Sequence, residues 1–368
     1  MPEDDDFSTA VWIPLTPDDV PKLEALLRSK DPFVTSTIDT KDPYSLINYI
    51  QHSIYSNLDL AAILDRNLVS RVASLAAGRH VDHLHPTANT DRVAAACMAF
   101  LITADVMAEP NISLYELAET VAACDGKEDL LSFRIADHLH PQSYLEVALG
   151  RAPGIHPDLI EEARTLVESR DRPSVELEMP LQHWRRHRCA LTQIALLERS
   201  SLDGRAKFER LIEWSVSPGF FDGVAIAFAA KLFGRSNLRG KLLKSVQSTN
   251  VEKCLDGIRN AAWDLTYISH WAKQSIKDEG RRIWILCSND RVLRSIARFA
   301  VGKEGHTSLL FRENWRSKEA SVLEQQYIDA WRRAQDSDER LASMQARMDD
   351  IDDLTKSIEE QIREACTA

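Results

Sequence analysis

Two short apolar runs in this sequence each end in an acidic residue, and a helical pattern follows both. The first run, residues 58–64, ends at Asp65, and the second, residues 282–287, is followed by Ser288 and Asp290. Runs of this length are typical of buried strands in a parallel sheet. Because the carboxyl ends of parallel strands share one edge, where open α/β sheets bind ligands, we expect Asp65 and Asp290 to lie close together.

Two further acids lie on predicted helices near the same edge. Asp264 is near the start of a predicted helix over 259–277, and Glu116 lies in a predicted helix over 114–124. Carboxylates gathered in one pocket repel each other, and a hard divalent cation such as Mg²⁺ or Mn²⁺ removes that conflict. Such an ion can activate a bound water and hold a phosphate oxygen, which is the chemistry of phosphodiester hydrolysis. The predicted catalytic and metal-binding residues are Asp65, Glu116, Asp264 and Asp290.

The order of these motifs resembles that of PIN-like nucleases. The resemblance matches Asp65 to the aspartate after the first strand, Asp264 to the aspartate that opens the penultimate helix, and Asp290 to the one after the fourth strand. Glu116 fits the helical glutamate of the family best, and Glu109 is its competitor. Taken singly, each aspartate could instead be a helix cap or a first-turn acid.

The resemblance also assigns supporting residues and a fold. Asn67 matches the polar residue two places after the first aspartate, and Ser288 matches the small hydroxyl residue before the last one. Both are expected to hold the carboxylates or the substrate phosphate. The family implies a three-layer α/β/α domain with a parallel sheet, one or two Mg²⁺ or Mn²⁺ ions, and cleavage of RNA more often than DNA. It also implies a free-standing toxin or a phage-defence effector.

The predicted organisation departs from a minimal member of that family. We predict an N-terminal lead-in over 1–50 and a PIN-like core in two segments, 51–124 and 254–312. A large helical insertion over 125–253 separates the two core segments. A C-terminal helical extension covers 313–368, and its long polar helix has apolar residues at three- and four-residue steps. That spacing is typical of a surface helix or a short coiled coil, which could support a homodimer.

Basic residues in the predicted insertion are candidates for phosphate contacts. One segment of the insertion concentrates arginines that would position a nucleic acid by its backbone: Arg185, Arg186 and Arg188. The alternative is a solvated helix face. Lys and Arg number 45 and Asp and Glu 56, so the net charge is −11. This argues against a passive DNA-coating protein but is compatible with a nuclease that has a local basic groove.

The sequence is also compatible with two functions other than a nuclease. The segment Asp-His-Leu-His-Pro occurs at 82–86 and again at 137–141. A His-x-His pair in an extended segment puts both imidazoles on one face, so the two copies could bind Zn²⁺ in a hydrolase. The alternative for these segments is a loop whose histidines cap helices. A third possibility is a non-catalytic, mostly helical interaction protein with a degenerate core.

Length and composition set the broad class of protein. The chain has 368 residues, of which 44% are apolar, so it can bury a core and is not wholly disordered. Its longest apolar window, 93–107, is shorter than the ~20 residues of a membrane span, and we expect no membrane partner. The acidic start has no secretory pattern, and six scattered cysteines without a CxxC pair fit a reducing compartment. We therefore expect a cytoplasmic protein.

Overall fold

A computed structural model gives the fold of the chain. It describes residues 13–35, 42–55, 58–82, 85, 87–120, 127–170, 181–216, 221–235, 243–300, 306–335 and 340–367.

A small mixed sheet lies at the centre of the molecule. Its strands are β1 (Phe33–Thr35), β2 (Asp59–Leu64), β3 (Met107–Glu109) and β4 (Arg282–Cys287). The strand order is β1-β4-β2-β3, in which β2, β3 and β4 run parallel and β1 is antiparallel to β4. Both strands predicted from apolar runs are confirmed. The sheet is mixed rather than all-parallel because β1, from the segment predicted as a lead-in, pairs at its edge.

The sheet separates two hydrophobic cores. Because successive side chains of a strand point to opposite faces, alternate residues of β2 and β4 enter different cores. The first core receives Leu60, Ala62, Leu64, Ile283, Ile285 and Cys287. The second core receives Ala61, Ile63, Trp284 and Leu286. Helices therefore cover both faces of the sheet, and the chain is mostly helical around a small α/β centre.

The first half of the chain supplies most of the first core. A 3₁₀ turn over Pro17–Asp19 leads into its helices, which are α1 (Val20–Lys30), α2 (Leu46–Tyr55), α3 (Arg66–Ala76), α4 (Ala88–Thr103), α5 (Asn111–Thr120), α6 (Lys127–Asp137), α7 (Pro141–Ala148) and α8 (Pro157–Glu168). α4 is buried along most of its length and packs against α7. Burial on nearly every side explains why its sequence is rich in Ala and other apolar residues instead of amphipathic.

The second half of the chain supplies most of the second core, to which α5 of the first half also contributes Ile112. Its helices are α9 (Gln182–Arg199), α10 (Gly204–Val216), α11 (Gly223–Phe233), α12 (Val251–Lys277), α13 (Arg291–Ala300), α14 (His306–Asn314), α15 (Ser317–Gln335) and α16 (Arg340–Thr367). The predicted insertion is helical where it is described. Its early helices, α6 to α8, pack in the first core, whereas α9 to α11 pack in the second. The inserted helices thus extend both layers around the sheet.

The helix that carries Asp264 is longer than predicted. α12 begins after Asn250, whose side chain accepts the N–H of Lys253 at 3.1 Å, and runs for 27 residues. Asp264 lies in the middle of this helix, so the prediction that it opens the helix is wrong. An interior glycine normally weakens a helix. Here Gly257 admits the carbonyl of Lys244, which would lie 2.1 Å from an added Cβ.

The C-terminal extension folds back on the rest of the chain. Where one long helix over 319–365 was expected, the structure describes α15 and α16, and the predicted residues 336–339 lie outside the described residues. α16 packs along α9, and Ile351 and Ile358 are buried there with Cys189. The apolar face that suggested a homodimer is therefore covered, at these residues, by the chain's own α9.

Two further features are the apolar character of the helices and the state of the cysteines. None of the described helices combines the length and the apolar character that crossing a bilayer requires. The cysteines in the described part of the chain are free and buried, namely Cys97, Cys189, Cys254, Cys287 and Cys366. Cys124 lies outside the described residues.

Ile358→Ala should lower the free energy of unfolding by about 2–4 kcal/mol, because it leaves a cavity where α16 packs on α9. Ile276→Ala is the control, since Ile276 is 68% exposed, and it should change stability little. Urea denaturation at two protein concentrations measures both effects. A loss that depends on protein concentration would instead place Ile358 between two copies of the chain.

Candidate active site

Asp65 and Ser288 meet at the carboxyl edge of the sheet. Leu64 of β2 pairs with Cys287 of β4, and the N–H of Asp65 donates to the Cys287 carbonyl at 3.0 Å. The hydroxyl of Ser288, which is fully buried, donates to Oδ2 of Asp65. The same Oγ accepts the N–H of Asp290 at 2.9 Å. One hydroxyl thus connects the two aspartates that follow the predicted strands.

Both aspartates also cap helices. Oδ1 of Asp65 accepts the N–H of Leu68 at 2.9 Å at the start of α3, and Oδ1 of Asp290 accepts the N–H of Val292 at 2.6 Å at the start of α13. Among the described residues, no hydrogen bond reaches Oδ2 of Asp290. Asn67 lies exposed in the first turn of α3. Capping therefore fixes each carboxylate through one oxygen and leaves the second oxygen of Asp290 for a ligand.

Glu116 on α5 is held by contacts from two other helices, α3 and α12. Its Oε2 lies 2.9 Å from the hydroxyl of Tyr267 on α12, and its Oε1 lies 3.4 Å from Nη1 of Arg66. The Tyr267 hydroxyl also lies 3.1 Å from Oγ of Ser113, which donates to the carbonyl of Leu64 at 2.9 Å. These bonds connect α5 and α12 to the end of β2. Sequence reasoning missed Tyr267 and Ser113, since neither has a recognisable spacing to the acids.

Asp264 lies on α12 one turn before Tyr267. Its side chain is exposed to solvent, although much of its surroundings is protein. This loss of bulk water, together with the negative charges of Asp290, Glu116 and Asp65, raises the pKa of Asp264 well above its usual range. No hydrogen bond or ion pair from the described residues reaches its carboxylate. Asp264 is thus the least satisfied acid of the site.

Asp65 and Glu116 experience the same repulsion. Burial raises the pKa of Asp65 to about 6, the hydrogen bonds from Ser288 and Leu68 oppose this shift, and the charge of Asp290 adds to it. Burial also raises the pKa of Glu116, against the lowering effects of Tyr267 and Arg66 and with a further rise from Asp65. The site therefore gathers negative charges that a bound cation would stabilise.

The surroundings of Glu109 and Glu116 distinguish between these two candidate glutamates. Glu109, at the end of β3, accepts a hydrogen bond from Nδ2 of Asn111 at 2.7 Å. Burial raises its pKa, the charges of Arg134 and Arg282 oppose this rise, and the charge of Asp137 adds to it. Glu116 interacts with the aspartates, and the geometry favours it over Glu109.

The predicted phosphate-binding arginines have partners within the chain. Arg185 pairs with Asp352 at 2.9 Å, and Arg188 pairs with Glu359 at 2.6 Å, so both contact α16. Arg186 donates to a backbone carbonyl at 3.2 Å. Their role in substrate binding stays a prediction.

No closed metal shell is formed in the described part of the chain, where no three His, Cys, Asp or Glu side chains are placed to share one ion. The same finding applies to the Asp-His-Leu-His-Pro segments. His83 lies outside the described residues. In the second segment, His140 accepts the N–H of Gln142 at 3.2 Å as a helix cap, and Nδ1 of His138 lies 2.8 Å from the carbonyl of Arg134. These described histidines fit the capping alternative.

Comparison with known proteins identifies no family for this chain. No family model matches it, and neither a curated protein nor a solved structure does. The chemistry of the site is therefore the basis for inferring a function.

The chemistry of the donors fits a hard divalent cation. All four acids offer oxygen ligands, which Mg²⁺ and Mn²⁺ prefer. The exposed carboxylate of Asp264 and the second oxygen of Asp290 are the ligands most accessible to an ion, whereas Asp65 is buried. These acids can bind an ion if their side chains move closer around it. Without an ion, their negative charges repel one another.

Asp65→Asn should stabilise the protein at pH 7.5 by about 1–3 kcal/mol. The pKa of Asp65 is about 6 in the folded chain against an ordinary 3.8, so the folded state binds this proton more tightly. The wild type consequently loses stability from this group as the pH rises from about 4 to 6. Asparagine can still accept from Leu68 and donate to Ser288, and it has no proton to lose.

Urea denaturation between pH 4 and pH 8 measures this difference, which should be small at pH 4 and complete above pH 6. Asp59→Asn, at the exposed start of the same strand, is the control and should bring no gain. A variant that is less stable than the wild type at every pH would contradict the electrostatic description of the site.

Proposed function

We propose that this protein is a Mg²⁺- or Mn²⁺-dependent nuclease that hydrolyses phosphodiester bonds, preferentially in RNA. One observation carries the proposal. Burial and the negative charges of neighbouring acids, Asp290 among them, raise the pKa values of Asp65, Glu116 and Asp264 around the carboxyl edge of the sheet. Burying such a group is costly for a fold, and a phosphate-binding metal ion is a chemical use for it.

Each side chain has a distinct part in this proposal. Asp65, Glu116, Asp264 and Asp290 would hold the ion, which when bound would polarise the phosphate and activate a water. Ser288 fixes the carboxylate of Asp65, and Tyr267 fixes that of Glu116. These buried contacts set the direction of two ligands before an ion arrives, which limits the reorganisation needed on binding.

Positive charge at the site has a nearer source than the predicted arginines. Arg66 is half-buried beside Glu116 at the start of α3, where helix amides also favour an anion. A substrate phosphate at this edge would meet Arg66 and the exposed Asn67. Arg185 and Arg188 would have to exchange their partners in α16 before they could bind a nucleic acid.

The preference for RNA and the role as a toxin or phage-defence effector in the cytoplasm rest on the resemblance to PIN-like nucleases. Helices on both faces of a sheet with three parallel strands support that resemblance.

A non-catalytic interaction protein with a degenerate core is the competing proposal. Two observations favour it: no three acids in the described residues are placed to share an ion, and Asp65 and Asp290 both serve as helix caps. In this case the acids would be remnants, and the helical surface would carry the function. Measured nuclease activity separates the two proposals.

The purified protein should cleave single-stranded RNA in the presence of Mn²⁺, and EDTA should abolish cleavage. Asp264→Asn should lower the rate by about 100-fold or more, because it removes the acid that has no partner within the described chain. The variant should be at least as stable as the wild type, since it relieves repulsion from three acids. A gel assay and a thermal melt measure both properties.

Asp256→Asn is the matched control, because Asp256 is an exposed aspartate about two turns earlier in α12. It should keep the wild-type rate. Parallel reactions with single-stranded and double-stranded DNA identify the substrate. If neither RNA nor DNA is cleaved with Mn²⁺ or Mg²⁺, or if Asp264→Asn cleaves as fast as the wild type, the nuclease proposal is wrong.

A further inference from the structure

Ser269, His187 and Asp222 form a hydrogen-bonded series outside the carboxylate site. His187 on α9 is buried, and its Nδ1 lies 2.5 Å from Oδ2 of Asp222. Its Nε2 lies 2.7 Å from Oγ of Ser269 on α12. The other oxygen of Asp222 accepts the N–H of Ala225 at 3.0 Å and so caps α11. The order is therefore carboxylate, imidazole and hydroxyl.

The contacts of Asp222 orient the imidazole. Burial acts to raise the pKa of Asp222, but the interactions with His187 and Arg186 hold that pKa well below its usual range. An ionised carboxylate can only accept hydrogen bonds, so a neutral His187 carries its proton on Nδ1. Its Nε2 then presents a lone pair to the Ser269 hydroxyl, which is the orientation that a general base needs.

The hydroxyl of Ser269 is directed away from its own helix. Thr266, three residues earlier in α12, donates to the carbonyl of Ala262 at 2.7 Å, which is the usual bond of a helical hydroxyl. Ser269 bonds to the imidazole of His187 instead. The hydroxyl proton of Ser269 is therefore positioned for transfer to His187.

All three side chains line one cavity of about 310 Å³, to which α9 and the helices from α11 to α15 contribute residues. This volume is at the lower end of the range for small-molecule sites. Arg186 lines the same cavity, and Ser269 is half-buried, so a ligand in the cavity can reach its Oγ. The apolar part of the wall consists mainly of Phe221, Val224, Ala227, Phe299, Leu310 and Tyr327.

We propose that this cavity is an esterase site with Ser269 as the nucleophile. Oγ of Ser269 bonds to the carbonyl carbon of an ester while its proton passes to Nε2 of His187, and the carbonyl π electrons move to the oxygen. Arg186 supplies the positive charge for that oxyanion. The bond to the leaving alkoxide then breaks, the alkoxide takes the proton from His187, and water cleaves the acyl-serine with the same base.

The cavity selects the class of substrate. Its lining is part polar and part apolar and its volume is small, so the polar groups face the ester carbonyl and the apolar part of the wall accommodates a short apolar acyl chain. The cavity shares no lining residue with the carboxylate cluster, and the reaction uses no metal. Its outcome is therefore independent of the nuclease proposal.

A fluorophosphonate probe and p-nitrophenyl butyrate, applied to the full-length protein in EDTA, test the site. The wild type should hydrolyse the ester and carry the probe on Ser269, as located by peptide mass spectrometry. Ser269→Ala should lose the label and lower the hydrolysis rate by about 1000-fold. His187→Gln should do the same, because glutamine cannot take the proton.

Ser275→Ala is the matched control. It removes a buried hydroxyl from the same helix, and that hydroxyl has no hydrogen-bond partner among the described residues. It should keep the wild-type rate and label. Equal hydrolysis and labelling of the wild type and Ser269→Ala would overturn the proposal, and so would a folded wild type without probe on Ser269.

Discussion

The parallel pairing of β2 with β4 is the constraint on which the candidate site depends. Its register sets Leu64 against Cys287, so the residues that follow, Asp65 and Ser288, are neighbours although they are far apart in the sequence. Both strands are buried on both faces, because the two cores pack against opposite sides of the sheet. Any shift of this register would separate the carboxylate of Asp65 from the hydroxyl that holds it.

The acids of the site repel one another, and contacts with the rest of the fold offset this repulsion. Helix caps and the Ser288 hydroxyl stabilise the ionised form of Asp65, but burial still raises its pKa. Tyr267 and Arg66 likewise stabilise the ionised form of Glu116, but burial still raises its pKa. A protein gains nothing in stability from such a cluster, and clusters of this kind are concentrated at functional sites. α12 links the two proposed sites, since Asp264 and Ser269 lie on different faces of this one long helix.

The sequence allowed β2 and β4 to be predicted because each contains five consecutive apolar residues and is followed within three residues by an acid. β1 and β3 have three residues each, which is too short for a recognisable pattern. The choice between Glu116 and Glu109 needed tertiary contacts, as did the pairing of Arg188 with Glu359 in the last helix. The Ser269 series joins three separate helical regions, so no spacing in the sequence signals it.

Titration calorimetry with Mn²⁺ at pH 6, in two buffers of different ionisation enthalpy, tests the central claim most directly. The claim is that the acids at the sheet edge share one cation. Binding should saturate at a defined stoichiometry and release protons, because the pKa of Asp65 is about 6 and those of Glu116 and Asp264 are also raised. Heats that show no saturable binding, or binding without proton release, would contradict the claim.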